Sequence, residues 1–179
     1  ASFVASDLLS QAEHGPDSRV VLISQSEIFI QEVISEIEKQ CQFLSRKEII
    51  NEALKNALFI NFSSEDKSIE FINAFAPEHL ILNGELPEFN LNKIINAGCI
   101  FLGNYTPESL GDYASGSNHT LPTAGMAKSW SGLGLIDFYK SITVQKSDFN
   151  SMQKLSNTVI SMANAEGLDA HANAIKIRL

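Results

Sequence analysis

Basic residues, cysteine and long apolar runs are all scarce in this chain. Lysine and arginine number 13 against 21 acidic residues, for a formal net charge of -8. Nucleic-acid binders carry a basic stripe, and none is visible, so nucleic acid is not an expected partner. No run approaches the ~20 apolar residues that cross a bilayer, and the longest, around Val20 to Ile23, is strand-sized. Neither a membrane span nor a secretory leader is therefore expected. Only Cys41 and Cys99 are present; they read as reduced core residues of a cytoplasmic protein rather than metal ligands. Nucleotide fingerprints are missing too. Gly132-Leu133-Gly134 is the closely spaced Gly-x-Gly, but no third glycine follows at fingerprint spacing, no strand immediately precedes it, and there is no P-loop.

What is present alternates between two periods. With 44% apolar and 19% charged residues, the composition is that of a globular domain. Helical spacing is expected from Ser2 to His14 (stopped by Gly15-Pro16), after Ser26 through Ile37, from Arg46 to Asn56 and from Ser64 to Phe75. Strands are expected at Val20–Ile23, Ala57–Phe62, Leu80–Leu82, Ala97–Leu102 and Ile142–Gln145. Thr106 reads as the cap of a short helix with Pro107 at its first position and Glu108 as an early acid. Residues 111–134 form a long irregular stretch of the kind kept for binding, and a helix is expected near Leu135–Lys140. Asp148 caps a long helix to about Ala165, with Met152, Leu155, Val159, Ile160 and Ala163 as its apolar face, and a last helix follows. Strands alternating with helices predict an α/β fold: an open, mostly parallel sheet with flanking helices, an incomplete Rossmann-like arrangement. Residues 1–146 would form this domain, and residues 147–179 a two-helix arm.

The histidines carry the chemistry. His14, His79, His119 and His171 all sit in short polar or turn-forming strings, and imidazole suits both proton transfer near neutral pH and metal ligation. Gln11 and His14, three apart, share a helix face and can meet one cation; a polar helix end is the plainer alternative. Glu78-His79 follows Pro77, which is expected to hold Ala76 extended. The pair suits two proton-transfer tasks, or a solvated turn. Asp112 either ligates a cation or forms a turn. His119 lies in the irregular segment, and Glu166 and His171 flank Gly167 between the last helices. Their combination suggests one polar site assembled from distant segments.

In order and spacing these strings resemble histidinol dehydrogenase. The resemblance rests on Asp7-Leu8-Leu9-Ser10-Gln11-Ala12-Glu13-His14-Gly15-Pro16, Ala76-Pro77-Glu78-His79-Leu80 and Ala97-Gly98-Cys99-Ile100-Phe101-Leu102-Gly103. It continues through Tyr105-Thr106-Pro107-Glu108-Ser109-Leu110-Gly111-Asp112-Tyr113, Gly116-Ser117-Asn118-His119-Thr120-Leu121-Pro122-Thr123 and Ala165-Glu166-Gly167-Leu168-Asp169-Ala170-His171-Ala172. It covers the whole chain but only the C-terminal portion of the family's pattern. The resemblance implies a zinc-dependent, cytoplasmic homodimer that oxidises L-histidinol to L-histidine with two NAD. Gln11, His14, Asp112 and His171 would be the zinc ligands, His171 reaching across the dimer. Glu78 and His79 would be the acid–base pair, with His119 and Glu166 on the substrate, Glu166 also supplied across the dimer interface. The zinc ligands and Glu78 would also line the substrate site. Most of the NAD-binding portion would lie outside this chain, which is expected to be inactive alone. Ala124-Gly125-Met126-Ala127-Lys128 departs from the family's more usual Gly-Gly-Thr-Ala-Arg. A zinc hydrolase with Glu78 activating water, and a non-catalytic interaction module, are the alternatives.

Overall fold

Residues 1–84 and 91–179 are described by a computed structural model. The chain is α/β and groups into two compact units, Ala1–Asp137 and Phe138–Leu179.

In the first unit, α1 (Ser2–Ala12) precedes β1 (Val21–Ser24), α2 (Glu27–Cys41), α3 (Lys47–Leu54), β2 (Leu58–Asn61) and α4 (Glu65–Phe75). Ser26 Oγ accepts from the Phe29 amide at 3.2 Å, and Ser64 Oγ from the Lys67 amide at 3.3 Å. Each serine satisfies an orphan donor of a first helical turn. The stripe Ile30, Val33, Ile37 and Cys41 of α2 packs with Ala5, Leu9 and Ala12 of α1, Leu22 of β1, and Ile50 and Ala53 of α3. The three-and-four spacing of α2 builds this face, which packs α1 against α2 and α3, with Val4, Leu8 and Ile34 at its partly buried margin. β3 (His79–Leu82) and β4 (Cys99–Leu102) then lead into α5 (Glu108–Tyr113).

All pairing among the described residues is parallel, as expected, but it forms two pairs rather than one sheet. Val21 to Ser24 pair with Leu58 to Asn61, and His79 to Leu82 with Cys99 to Leu102.

Several local expectations are corrected. Ala76 is left-handed (φ 53°, ψ 68°), not extended, because it caps α4 and gives its N–H to Ile72 O at 2.8 Å; Pro77 follows because the helix cannot continue. Pro107, not Thr106, is the N-cap of α5; the Thr106 hydroxyl donates instead to Leu102 O at 2.7 Å, tying the turn to β4. Residues 135–140 give only a 3-10 turn, Leu135–Phe138. Ile142–Gln145 is not a strand: it has no pairing partner among the described residues, and Ile142 and Val144 are exposed.

In the second unit, α6 (Phe149–Ala165) and α7 (Asp169–Lys176) form a hairpin. Asp148 caps α6, its carboxylate accepting from the Ser151 amide at 2.7 Å. Gly167 at φ 72° makes the turn, a left-handed position that suits a residue without a Cβ. The face of α6 is narrower than expected. Ser156 and Ala163 are buried, whereas Leu155 and Val159 are exposed, since a single short neighbour cannot cover the whole stripe.

Candidate metal and acid–base site

Three elements of the first unit supply the site. The last turn of α1 carries Gln11, and His14 follows just beyond it; β3 opens on His79; α5 carries Glu108 and Asp112, four apart and therefore on one face. Close approach of α5 to β4 depends on Gly111. A Cβ there would lie 2.5 Å from the Phe101 ring. Phe101 is buried, with its ring centroid 5.9 Å from that of His79. Gly98 plays the same part at the other end: its Cβ would lie 2.6 Å from Glu78 O, so glycine is what lets β4 start beside the Glu78-His79 turn.

The side chains converge on Glu108, which is only 3% exposed. His14 Nε2 lies 3.7 Å and His79 Nδ1 3.9 Å from Glu108 Oε1, and His79 Nε2 lies 3.7 Å from Asp112 Oδ1. One atom of the Gln11 amide stands 3.1 Å from His79 Nδ1, and 3.0 and 3.2 Å from the two Glu108 oxygens. Once Glu108 is ionised, above about pH 7, that atom is the nitrogen, because a carboxylate only accepts. His79 Nδ1 then accepts from Gln11, leaving the ring proton on Nε2. Nε2 is buried and makes no hydrogen bond among the described residues, 3.7 Å being too long for one.

The electrostatics ask for a cation. Burial, then the Asp112, Glu78 and Asp7 carboxylates, push the Glu108 carboxyl up from its usual 4.5 to about 7. Burial also raises Asp7. Burial pushes the His79 imidazole below its usual value, against the opposing pull of Glu78 and Asp112, and so favours the neutral ring. Ligand atoms of His14, Glu108 and Asp112 all lie within 4.8 Å of one another. A buried carboxylate crowded by others, with imidazole and an amide side chain beside it, is a donor set that suits a borderline divalent ion such as zinc.

Of the residues singled out from sequence, Gln11, His14, His79 and Asp112 come together, and Glu78 is close enough to act on the charges of His79 and Glu108. His119 is exposed and stands apart from the hydrogen bonds and ion pairs of this cluster among the described residues. Its neighbours tie the segment together: Asn118 donates to Leu133 O at 2.6 Å and accepts from the Thr120 amide at 2.8 Å. Glu166 caps the C-terminus of α6 and His171 lies in the first turn of α7, both exposed within the second unit. Glu108 was missed as a functional residue. Its i, i+4 spacing to Asp112 was the available signal, masked by the ordinary role of an acid in a first helical turn.

The family model described as histidinol dehydrogenase matches residues 1–179. The chain is 48% identical over 179 residues to histidinol dehydrogenase of Vibrio cholerae, covering 100% of this chain and 42% of that protein. Against the Aliivibrio fischeri relative of the same name it is 49% identical over 177 residues, covering 99% and 40%. It is also similar to the crystal structure of histidinol dehydrogenase from Elizabethkingia anophelis, with a TM-score of 0.96, 47% identity, and coverage of 99% of this chain and 41% of that one. The chain thus spans about two fifths of the length of the relatives it matches.

Proposed function

This chain belongs to the histidinol dehydrogenase family, and on that premise we propose that it carries the metal and acid–base residues of an oxidoreductase of histidine biosynthesis. The overall reaction is the oxidation of L-histidinol to L-histidine with two NAD, in the cytoplasm. The observation that supports this most is the meeting of Gln11, His14, His79 and Asp112 around Glu108. No helix among the described residues is long and apolar enough to cross a membrane.

Gln11, His14 and Asp112 would hold Zn²⁺, with His171 of the partner subunit completing the set in a homodimer. When bound, zinc supplies positive charge that orients the substrate and offsets the crowded carboxylates. The chain's own residues do the rest. His79, kept neutral by burial, would take the alcohol proton on the ring nitrogen that faces the substrate, in the tautomer that leaves that nitrogen unprotonated, and would return it as an acid. Glu78 beside it assists addition of water between the two oxidations. His119, and Glu166 of the partner subunit, would bind substrate. NAD is the hydride acceptor, but the turn that follows β1 does not fit it. The strand-to-helix turn Gln25-Ser26 between β1 and α2 has no glycine to let a pyrophosphate approach. Its surface belongs to the remainder of the relatives' length, and the 179-residue chain alone turns over no NAD.

Metal analysis of the purified chain, paired with its mass in solution, tests this reading. Zinc near one equivalent per chain is expected, lost at least tenfold in affinity on His14→Ala. A chain that holds no zinc and is indifferent to His14→Ala would overturn the metal assignment. Robust NADH production by the 179-residue chain would overturn its inactivity.

A further inference from the structure

Glu108 is the central group of the cluster, yet the roles above leave it without a task. It is the most buried carboxylate described and the one that touches most of its neighbours: Gln11 at 3.0 and 3.2 Å, His14 at 3.7 Å and His79 at 3.9 Å. The geometry of the Gln11 contact suggests why. A primary amide has two nearly isosteric ends, and a half-turn exchanges them at little steric cost. Only the oxygen end ligates a cation, because the nitrogen lone pair is delocalised into the carbonyl. Left to itself, Gln11 would offer either end.

We propose that Glu108 is a positioning residue: by accepting from the Gln11 side-chain N–H groups, it turns the Gln11 carbonyl oxygen away from itself and presents it as a donor to the divalent cation. Both oxygens of the ionised Glu108 are engaged by the same amide nitrogen, so the wrong orientation would set oxygen against a carboxylate oxygen at 3.0 Å. The side chain comes from the first residue of α5 and is held by that helix's seat on Phe101, so it acts as a fixed template. Such outer partners of metal ligands typically contribute 10–100-fold in affinity.

This inference rests on the zinc reading above, and two measurements separate them. In the metal-free chain at pH 8.5, the Gln11 side-chain amide protons should exchange with water at least tenfold more slowly than those of the exposed Gln42. Glu108→Ala should abolish that protection. In a competition titration with a zinc chelator, Glu108→Gln should weaken zinc binding 10–100-fold. The same substitution in a Gln11→Ala background should change it less than threefold, since the residue acts through Gln11. Equal losses in both backgrounds would make Glu108 a direct ligand and overturn the inference. So would no loss in either, or an unprotected Gln11 amide in the unsubstituted chain. Protection of the amide without any zinc binding would uphold the orientation and overturn the metal reading instead.

Discussion

Glu108 holds its proton in the folded chain well above the pH at which an unfolded chain releases it. Between pH 4.5 and about 7 the folded state therefore binds more protons, and stability of the metal-free chain falls as pH rises through that window. With the carboxyl displaced from 4.5 to about 7, the accumulated loss is on the order of 3 kcal/mol, complete above pH 7. His79 works in the opposite direction. Its folded value is lowered, so its contribution is lost as pH falls below about 6.5. The Glu108 effect is isolated by comparison: Glu108→Gln should melt progressively higher than the unsubstituted chain from pH 5 to 7, with the gap constant above. A gap that does not grow would contradict the burial of an ionisable carboxylate there. A second residue-scale test concerns Ala124, exposed at φ 53° beside Gly125 at φ 78°. A left-handed alanine costs about 1–2 kcal/mol, part of which glycine gives back as chain entropy. Ala124→Gly should stabilise by about 0.5–1 kcal/mol in denaturant unfolding, which bears on the departure from Gly-Gly noted in the sequence.

Among the elements, α5 shows how far sequence reading reaches. Its existence is legible because turn chemistry is a local property, although Pro107 is its N-cap rather than its first residue and Asp112 lies in the helix rather than in an irregular stretch. That Glu108 points inward is not legible, since an acid at a helix start is ordinarily solvated; burial comes from Gly111 lying on Phe101, a contact between segments. The same division holds elsewhere. The capped, periodic helices α2, α4 and α6 follow from Ser26, Ser64 and Asp148 with their apolar spacing. Ile142–Gln145 has the composition of a strand and lacks only a neighbour, which no local pattern reports. Gly111→Ala tests the seating of α5. With a Cβ 2.5 Å from Phe101 and 2.9 Å from Ser117 Oγ, it should destabilise by about 1–3 kcal/mol and weaken zinc binding in step. Gly111→Ala combined with Phe101→Leu should recover part of both losses, measured by urea unfolding and metal titration. Unchanged stability in the single variant would mean α5 is not seated as described.

At the scale of the whole molecule, apolar surface is concentrated along one run of sequence. Leu135, Ile136, Phe138, Tyr139, Ile142 and Val144 are each more than 70% exposed, beyond what scattered surface residues require. The chain should therefore associate at micromolar concentration, and Phe138→Ser with Ile142→Ser should lower its mass in equilibrium sedimentation. A monomer at all concentrations would argue against the homodimer. The hairpin of α6 and α7 leads to a related expectation. Its buried residues are Ser156, Ala163 and Ala172, all small, and a stretch of that length seldom folds without outside support. Its helicity then depends on what it leans against, so dilution alone would loosen it. A trace of protease at nanomolar protein should nick the C-terminal helices first, removing His171 while leaving the α1–α3 core intact.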